Sequence, residues 1–105
     1  MKTKRSSGER RHRRNRLHFV QHGACFWCGS PVARESATLD EVIPRSRGGS
    51  DRWGNIVMSC KPCNKRKGCD APPTWALAQA EHLRRIAHSP AVRQIFSANM
   101  IEASA

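Results

Sequence analysis

Two Cys-x2-Cys pairs constrain this chain more than any other feature: Cys25-Phe-Trp-Cys28 and Cys60-Lys-Pro-Cys63, with thirty-one residues between them. Thiols at that spacing chelate one ion from a tight knuckle, and four thiolates suit a closed tetrahedral zinc site. Cys25, Cys28, Cys60 and Cys63 are therefore expected to hold a structural Zn2+ that leaves no open position for chemistry. Two disulfides are the competing reading. No apolar stretch of the kind a secretory signal needs follows the basic N-terminus, so the sequence predicts a cytoplasmic, reducing compartment in which thiols stay free. Cys69 lacks a paired neighbour and reads as a free thiol. With 105 residues, three Trp, three Phe and no Tyr, the chain supports one domain with a small apolar core. A structural metal commonly supplements such a core. No segment approaches the roughly 20 apolar residues of a membrane span.

The formal net charge is +11, and it is unevenly spread. Residues 1–16 carry eight Lys/Arg against one acid, and residues 45–67 carry seven against one. Residues 69–105 carry three of each sign. Clustered cations are rewarded by a polyanion through counterion release, so a nucleic acid is the expected partner. Arg10, Arg11, Arg13 and Arg14 in the first cluster, and Arg45, Arg47, Lys65 and Lys67 in the second, are the candidate phosphate contacts. An anionic membrane surface fits less well, because no long apolar face accompanies the charge.

Residues 1–7 read as a basic, disordered tail. A helix is expected from about Gly8 to His22, with Leu17, Val20 and an Arg13 or Arg14 stem on one face and Gly23 ending it. Its first turns should project charge, and its last two should dock. Ala37–Val42 and Ile56–Met58 read as short strands, joined by a loop that Ile43-Pro44 and the paired glycines Gly48-Gly49 impose. A helix over Lys61–Lys67 follows the second knuckle. Thr74 is placed to cap a helix to about His88, with Ala76, Ala80, Leu83 and Ile86-Ala87 on one side. Ser89-Pro90 starts another helix, carrying Val92, Ile95, Phe96 and Met100. Phe26 and Trp27 are expected to pack around the metal, and Trp53 to plug the loop into the core. The expected organisation is a basic arm over 1–16, a core over 17–70 and a helical hairpin over 71–105. That hairpin offers a face to a protein partner or a second copy.

Three stretches in order carry a resemblance. They are Leu39-Asp40-Glu41-Val42-Ile43-Pro44-Arg45-Ser46-Arg47-Gly48-Gly49, Trp53-Gly54-Asn55-Ile56-Val57, and Cys60-Lys61-Pro62-Cys63-Asn64-Lys65-Arg66-Lys67-Gly68. Together they resemble the HNH endonuclease family, many of whose members are small bacterial or phage proteins with a zinc on two Cys-x2-Cys pairs. The resemblance covers residues 17–70. It implies an α+β fold with a zinc-clamped, treble-clef-like ββα-metal core and flanking helices. It further implies metal-dependent hydrolysis of DNA phosphodiester bonds. On that resemblance Asp40 holds a catalytic Mg2+ or Mn2+, Asn64 is its second protein ligand, and Asn55 fixes the loop. Oxygen donors of this kind suit a hard ion that keeps waters for the substrate phosphate. Nothing in the residues themselves separates DNA from RNA.

The family has His where this chain has Glu41, at the position of the general base. Three readings of Glu41 stand: it is the base, it is an extra metal ligand, or the chain keeps the fold for binding. The first makes Asp40, Glu41, Asn55 and Asn64 the catalytic set. The last makes the chain an inactive zinc module that binds nucleic acid, or a subunit of a phage or defence assembly.

Overall fold

A computed structural model describes residues 5–104, with side chains for residues 5–97. Most of the expected basic tail (residues 1–4) and the side chain of Met100 lie outside the described residues. The chain is α+β: α1 (Ser7–Val20), β1 (Thr38–Glu41), β2 (Ile56–Ser59), α2 (Lys61–Lys67), α3 (Thr74–Ala87) and α4 (Pro90–Ser104). The two strands form one antiparallel sheet in the register Thr38↔Ser59, Leu39↔Met58, Asp40↔Val57 and Glu41↔Ile56. Among the described residues, no helix is long and apolar enough to cross a membrane.

Helix α1 begins in a capping box, in which Ser6 Oγ accepts from Glu9 N–H and the Glu9 side chain returns to Ser6 N–H. That reciprocal pair satisfies backbone donors the first turn would otherwise leave bare. The chain then turns out through His22 and Gly23, whose φ angles of 57° and 71° are left-handed. Leu17 and Val20 are buried on the inner face of α1, as their spacing predicts. The first turns, however, do not simply project charge. Arg13 is buried, lies 4.9 Å over the Trp53 ring, and donates to the carbonyl of Asp51. Arg16 reaches the carbonyl of Ala87 at 2.7 Å. These guanidiniums tie α1 to the loop before β2 and to the end of α3. A buried arginine keeps its place by just such stacking and carbonyl contacts.

The core is one cluster. Leu17 and Val20 of α1, Val57 and Met58 of β2, Ala76, Ala80, Leu83 and Ala87 of α3, and Val92 and Phe96 of α4 all contribute. The small alanines of α3 let it pack close. Thr74 opens α3, but no side-chain cap hydrogen bond forms there; the preceding Pro73 is the cap residue. Ser89 does cap α4, its hydroxyl accepting from Val92 N–H, and Pro90 takes the first helical position. That proline lacks the N–H the first turn could not use anyway.

The loop between the strands is clamped by Asn55. Its Oδ1 accepts from Ile43 N–H at 2.8 Å, and its Nδ2 donates to the carbonyls of Ile43 and Ser50 at 3.0 and 2.7 Å. Gly49 lies so close beneath that an added Cβ would fall 1.7 Å from the Ile43 oxygen. Glycine is therefore required there by contact, not by backbone angle.

The four sulfurs of Cys25, Cys28, Cys60 and Cys63 lie within 4.8 Å of one another, and none is in a disulfide. This geometry is compatible with a structural zinc. Sulfur acceptors are already met by donors suited to thiolates. Trp27 and Cys60 N–H point to Cys25 Sγ at 3.4 Å, and Arg66 Nη2 points to Cys63 Sγ at 3.2 Å. Hydrogen bonds from Ser30 pull the Cys28 thiol down to about 6, whereas burial, with Cys60 and Cys28 as partners, pushes Cys63 up to about 12. A thiol raised as far as Cys63 must give up its proton to become a metal ligand, so loading releases protons.

Two outcomes follow for stability. Cys25→Ser or Cys60→Ser, or chelation of the metal, should abolish the far-UV and thermal signatures of the fold. Structural zinc is worth roughly 10–16 kcal/mol, against about 5–15 kcal/mol of total domain stability. A chelated protein that keeps a cooperative melt would contradict this. Asn55→Ala should cost about 2–3 kcal/mol in a denaturant titration, since it strands three loop groups.

Candidate active-site cleft

A cleft of about 1110 Å³ opens where the end of β1, the 44–52 loop, α2 and the first turns of α1 meet. Asp40, Glu41 and Asn64 all line it. Asn55 does not; it acts on the cleft through the loop it clamps.

Asp40 is buried at the centre of β1. Trp27 Nε1–H donates to its Oδ2 at 2.8 Å, and the Ser59 hydroxyl lies 3.4 Å from the same atom. Its Oδ1 faces Lys67 Nζ at 3.2 Å. Burial pushes the Asp40 carboxyl above the usual carboxylate range, against the opposing pull of Trp27, Lys67 and Ser59. Lys67 also donates to the Glu41 carbonyl at 3.0 Å.

Asn64 sits one turn before Lys67 on α2, so the two side chains share the helix face turned to β1. Its Nδ2 donates to Thr38 Oγ1 at 3.1 Å. The Thr38 hydroxyl gives its own proton to the Ser59 carbonyl at 2.9 Å, which fixes it as acceptor toward Asn64. The amide oxygen of Asn64 is thereby left for the cleft. Thr38 and Asp40, two residues apart on a strand, share one face. Asn64, Thr38, Ser59 and Asp40 thus form one connected polar group. One carboxylate oxygen and one amide oxygen are donors of the kind a hard divalent ion takes, and here the Lys67 ammonium occupies the Asp40 oxygen that Trp27 does not bind.

Glu41 points to the other face of β1, at the strand end where the cleft wraps round. Arg45 Nε holds its Oε2 at 3.1 Å. Arg45 also lies 3.9 Å from Asp51 Oδ2, and Arg5 Nε lies 2.9 Å from that same oxygen.

The expected phosphate contacts divide. Arg10, Arg13, Arg45 and Lys67 line the cleft, joined by Arg5 and Arg52. Arg11, Arg14, Arg47 and Lys65 lie outside its lining. Arg47 donates to the Cys69 carbonyl at 2.7 Å, and Arg14 Nε is buried without a hydrogen-bond partner among the described residues. Sequence reasoning overlooks Arg5, Asp51 and Ser59, and reads Trp27 as packing alone. Trp27 does pack, edge-on to Phe26 at 4.8 Å and to Trp75 at 5.7 Å. It is also the donor that holds Asp40. The three-residue step from Asn64 to Lys67 is a signal that could have placed Lys67 at Asp40, because it predicts a shared helix face.

Comparison with known proteins agrees with this architecture. Residues 25–75 match the family described as HNH endonuclease. The CRISPR-associated endonuclease Cas9 of Actinomyces naeslundii is 34% identical over 58 residues, which are 54% of this chain and 5% of that protein. The CRISPR-associated endonuclease Cas9 of Corynebacterium diphtheriae is 33% identical over 57 residues, 53% of this chain and 5% of that protein. The crystal structure of the Type II-C Cas9 enzyme from Actinomyces naeslundii superposes with a TM-score of 0.56 at 20% identity, covering 81% of this chain and 13% of that one. The present chain thus spans only a small part of these relatives. It resembles HNH nuclease domains at family level, and its fold is an HNH-like ββα unit with a four-cysteine clamp that can bind a metal.

Proposed function

We propose that this protein is a metal-dependent endonuclease that hydrolyses DNA phosphodiester bonds. The observation that carries the reading is the convergence of Asp40, Glu41 and Asn64 on one cleft that is also lined by arginines. The resemblance to HNH domains, and the endonuclease names of the two relatives, support the same reaction class.

In this reading Asp40 and the Asn64 amide oxygen hold Mg2+ or Mn2+, which when bound supplies charge neutralisation at the phosphoryl oxygens. Trp27 and Ser59 orient Asp40 so that its Oδ1 faces the cleft. Lys67 must leave Oδ1, and it can then neutralise phosphate charge from the same helix face. Glu41 takes a proton from the attacking water as the water oxygen bonds to phosphorus. The bond from phosphorus to the sugar oxygen breaks, and that oxygen takes a proton from solvent. Asn55 keeps the 43–50 loop, and with it the cleft wall, in place. Arg10 and Arg52 form no salt bridge among the described residues and are free to contact flanking phosphates.

One observation favours a second reading. Lys67 already neutralises Asp40, as it would in a module that binds nucleic acid without cutting it.

Supercoiled plasmid separates the two readings. With Mg2+ or Mn2+ the wild type should produce nicked circles, and Asp40→Ala should lower the rate by at least about a hundredfold. Binding with no nicking under either ion, unchanged by Asp40→Ala, would select the binding module. Glu41→Gln should remove nicking without weakening DNA binding; a rate equal to wild type would dismiss Glu41 as base. Replacing Arg10 and Arg52 together by Gln should flatten the slope of log affinity against log salt by about 2. An RNA duplex of the same sequence, run beside the DNA, reads the polymer preference.

A further inference from the structure

Two guanidiniums, Arg5 on the N-terminal side of α1 and Arg45 in the loop, converge on a single carboxylate oxygen, Asp51 Oδ2, at 2.9 and 3.9 Å. Arg45 bridges onward to Glu41 at 3.1 Å, and Arg5 back to Glu9 at 3.6 Å. Charges of alternating sign therefore run Glu9, Arg5, Asp51, Arg45, Glu41, from the first turn of α1 to the end of β1. Four of the five line the cleft. An oxygen hydrogen-bonded by one arginine and approached by a second is in the kind of surroundings a phosphate oxygen receives from a nucleic-acid-binding site. Side-chain exposures of 31% for Arg5, 36% for Asp51 and 55% for Arg45 leave these pairs in contact with water. Ion pairs that wet are weak. A polyanion offers the same arginines bidentate oxygens and gains counterion release as well.

We propose that Asp51 is an internal stand-in for substrate phosphate, and that a nucleic-acid backbone entering the cleft takes Arg5 and Arg45 from it. Arg45 then also lets go of Glu41. Arg45 is in this sense a positioning residue: it holds the Glu41 carboxylate while the cleft is empty of substrate and frees it when phosphate arrives. This rests on the reading of the cleft as a nucleic-acid site, but not on hydrolysis. Its arrangement depends on position 41 being an acid, since a neutral side chain there would give Arg45 nothing to hold.

The test is a binding measurement with no divalent ion added and no cleavage required. A fluorescein-labelled duplex is titrated with the zinc-loaded protein, and anisotropy is followed over a series of salt concentrations. Asp51→Asn removes the competing charge and keeps the shape, so affinity should rise roughly three- to tenfold. The gain should disappear in an Arg5→Gln/Arg45→Gln background, where Asp51 has no arginine left to compete for; a gain that persists there reports only the removed charge and overturns the exchange. Unchanged or weaker binding by Asp51→Asn, with circular dichroism and melting temperature like those of wild type, overturns the proposal. Arg45→Gln supplies a second, independent arm and decides the matter if Asp51→Asn does not fold. Its salt slope should fall by about 0.9, one phosphate contact, and an unaltered slope overturns the exchange. Because no bond is cut, a plasmid that is never nicked would sink the hydrolase reading and leave this result standing. Loss of the affinity gain would do the reverse.

Discussion

Four sulfur atoms meet within 4.8 Å, a cluster compatible with a structural zinc, and the rest of the architecture is arranged around it. The sulfurs join the turn after α1 to the first residues of α2, elements that the sequence keeps more than thirty residues apart. With the start of α2 pinned beside the first knuckle, its next turn is aimed at β1. Asn64 then reaches Thr38, and Lys67 reaches Asp40. The second Cys-x2-Cys pair thus does two things at once. It closes the clamp, and it sets the rotation of the helix that faces the candidate site. A seven-residue helix has little stability of its own, so that rotation depends on the sulfur cluster and on packing against the sheet.

Charge is used twice in this small protein. A surplus of arginine suits a polyanion, yet several of the same side chains are structural in the free protein. Arg13 is buried against Trp53, Arg16 binds the end of α3, and Arg66 serves a cysteine sulfur. Such roles are open to arginine because its guanidinium is flat, weakly hydrated and rich in donors. Arg5, Arg10 and Arg13 consequently form one wall of the cleft, which the acids of β1 and the loop also line.

Much of the secondary structure is legible from local pattern. Strand, loop, strand and helix appear in the expected order, and the Ser89-Pro90 start of α4 is where a hydroxyl and a proline in sequence would put it. Boundaries shift by one or two residues where hydrogen bonding competes with periodicity. Thus α1 stops at Val20, because His22 and Gly23 take left-handed angles, and the Gln21 side-chain amide then reaches the Ala24 and Met58 carbonyls. Position 74 shows the limit of residue preference, since a threonine suited to capping is already inside the helix.

The site divides along the same line. Residue types and spacing alone determine the two Cys-x2-Cys knuckles and the excess of positive charge, whereas the roles of Asp40 and Asn64 are implied by the resemblance to HNH endonucleases. Knuckles and charge are properties of neighbours in the chain. Only the tertiary structure decides that Trp27 holds Asp40, that Lys67 neutralises it, and that Arg5 meets Arg45 across Asp51. Those contacts join residues as far as 46 positions apart, and no local pattern encodes them. They exist because the sulfur clamp and the buried face of α1 bring distant segments back to one place, where opposite charges then find each other.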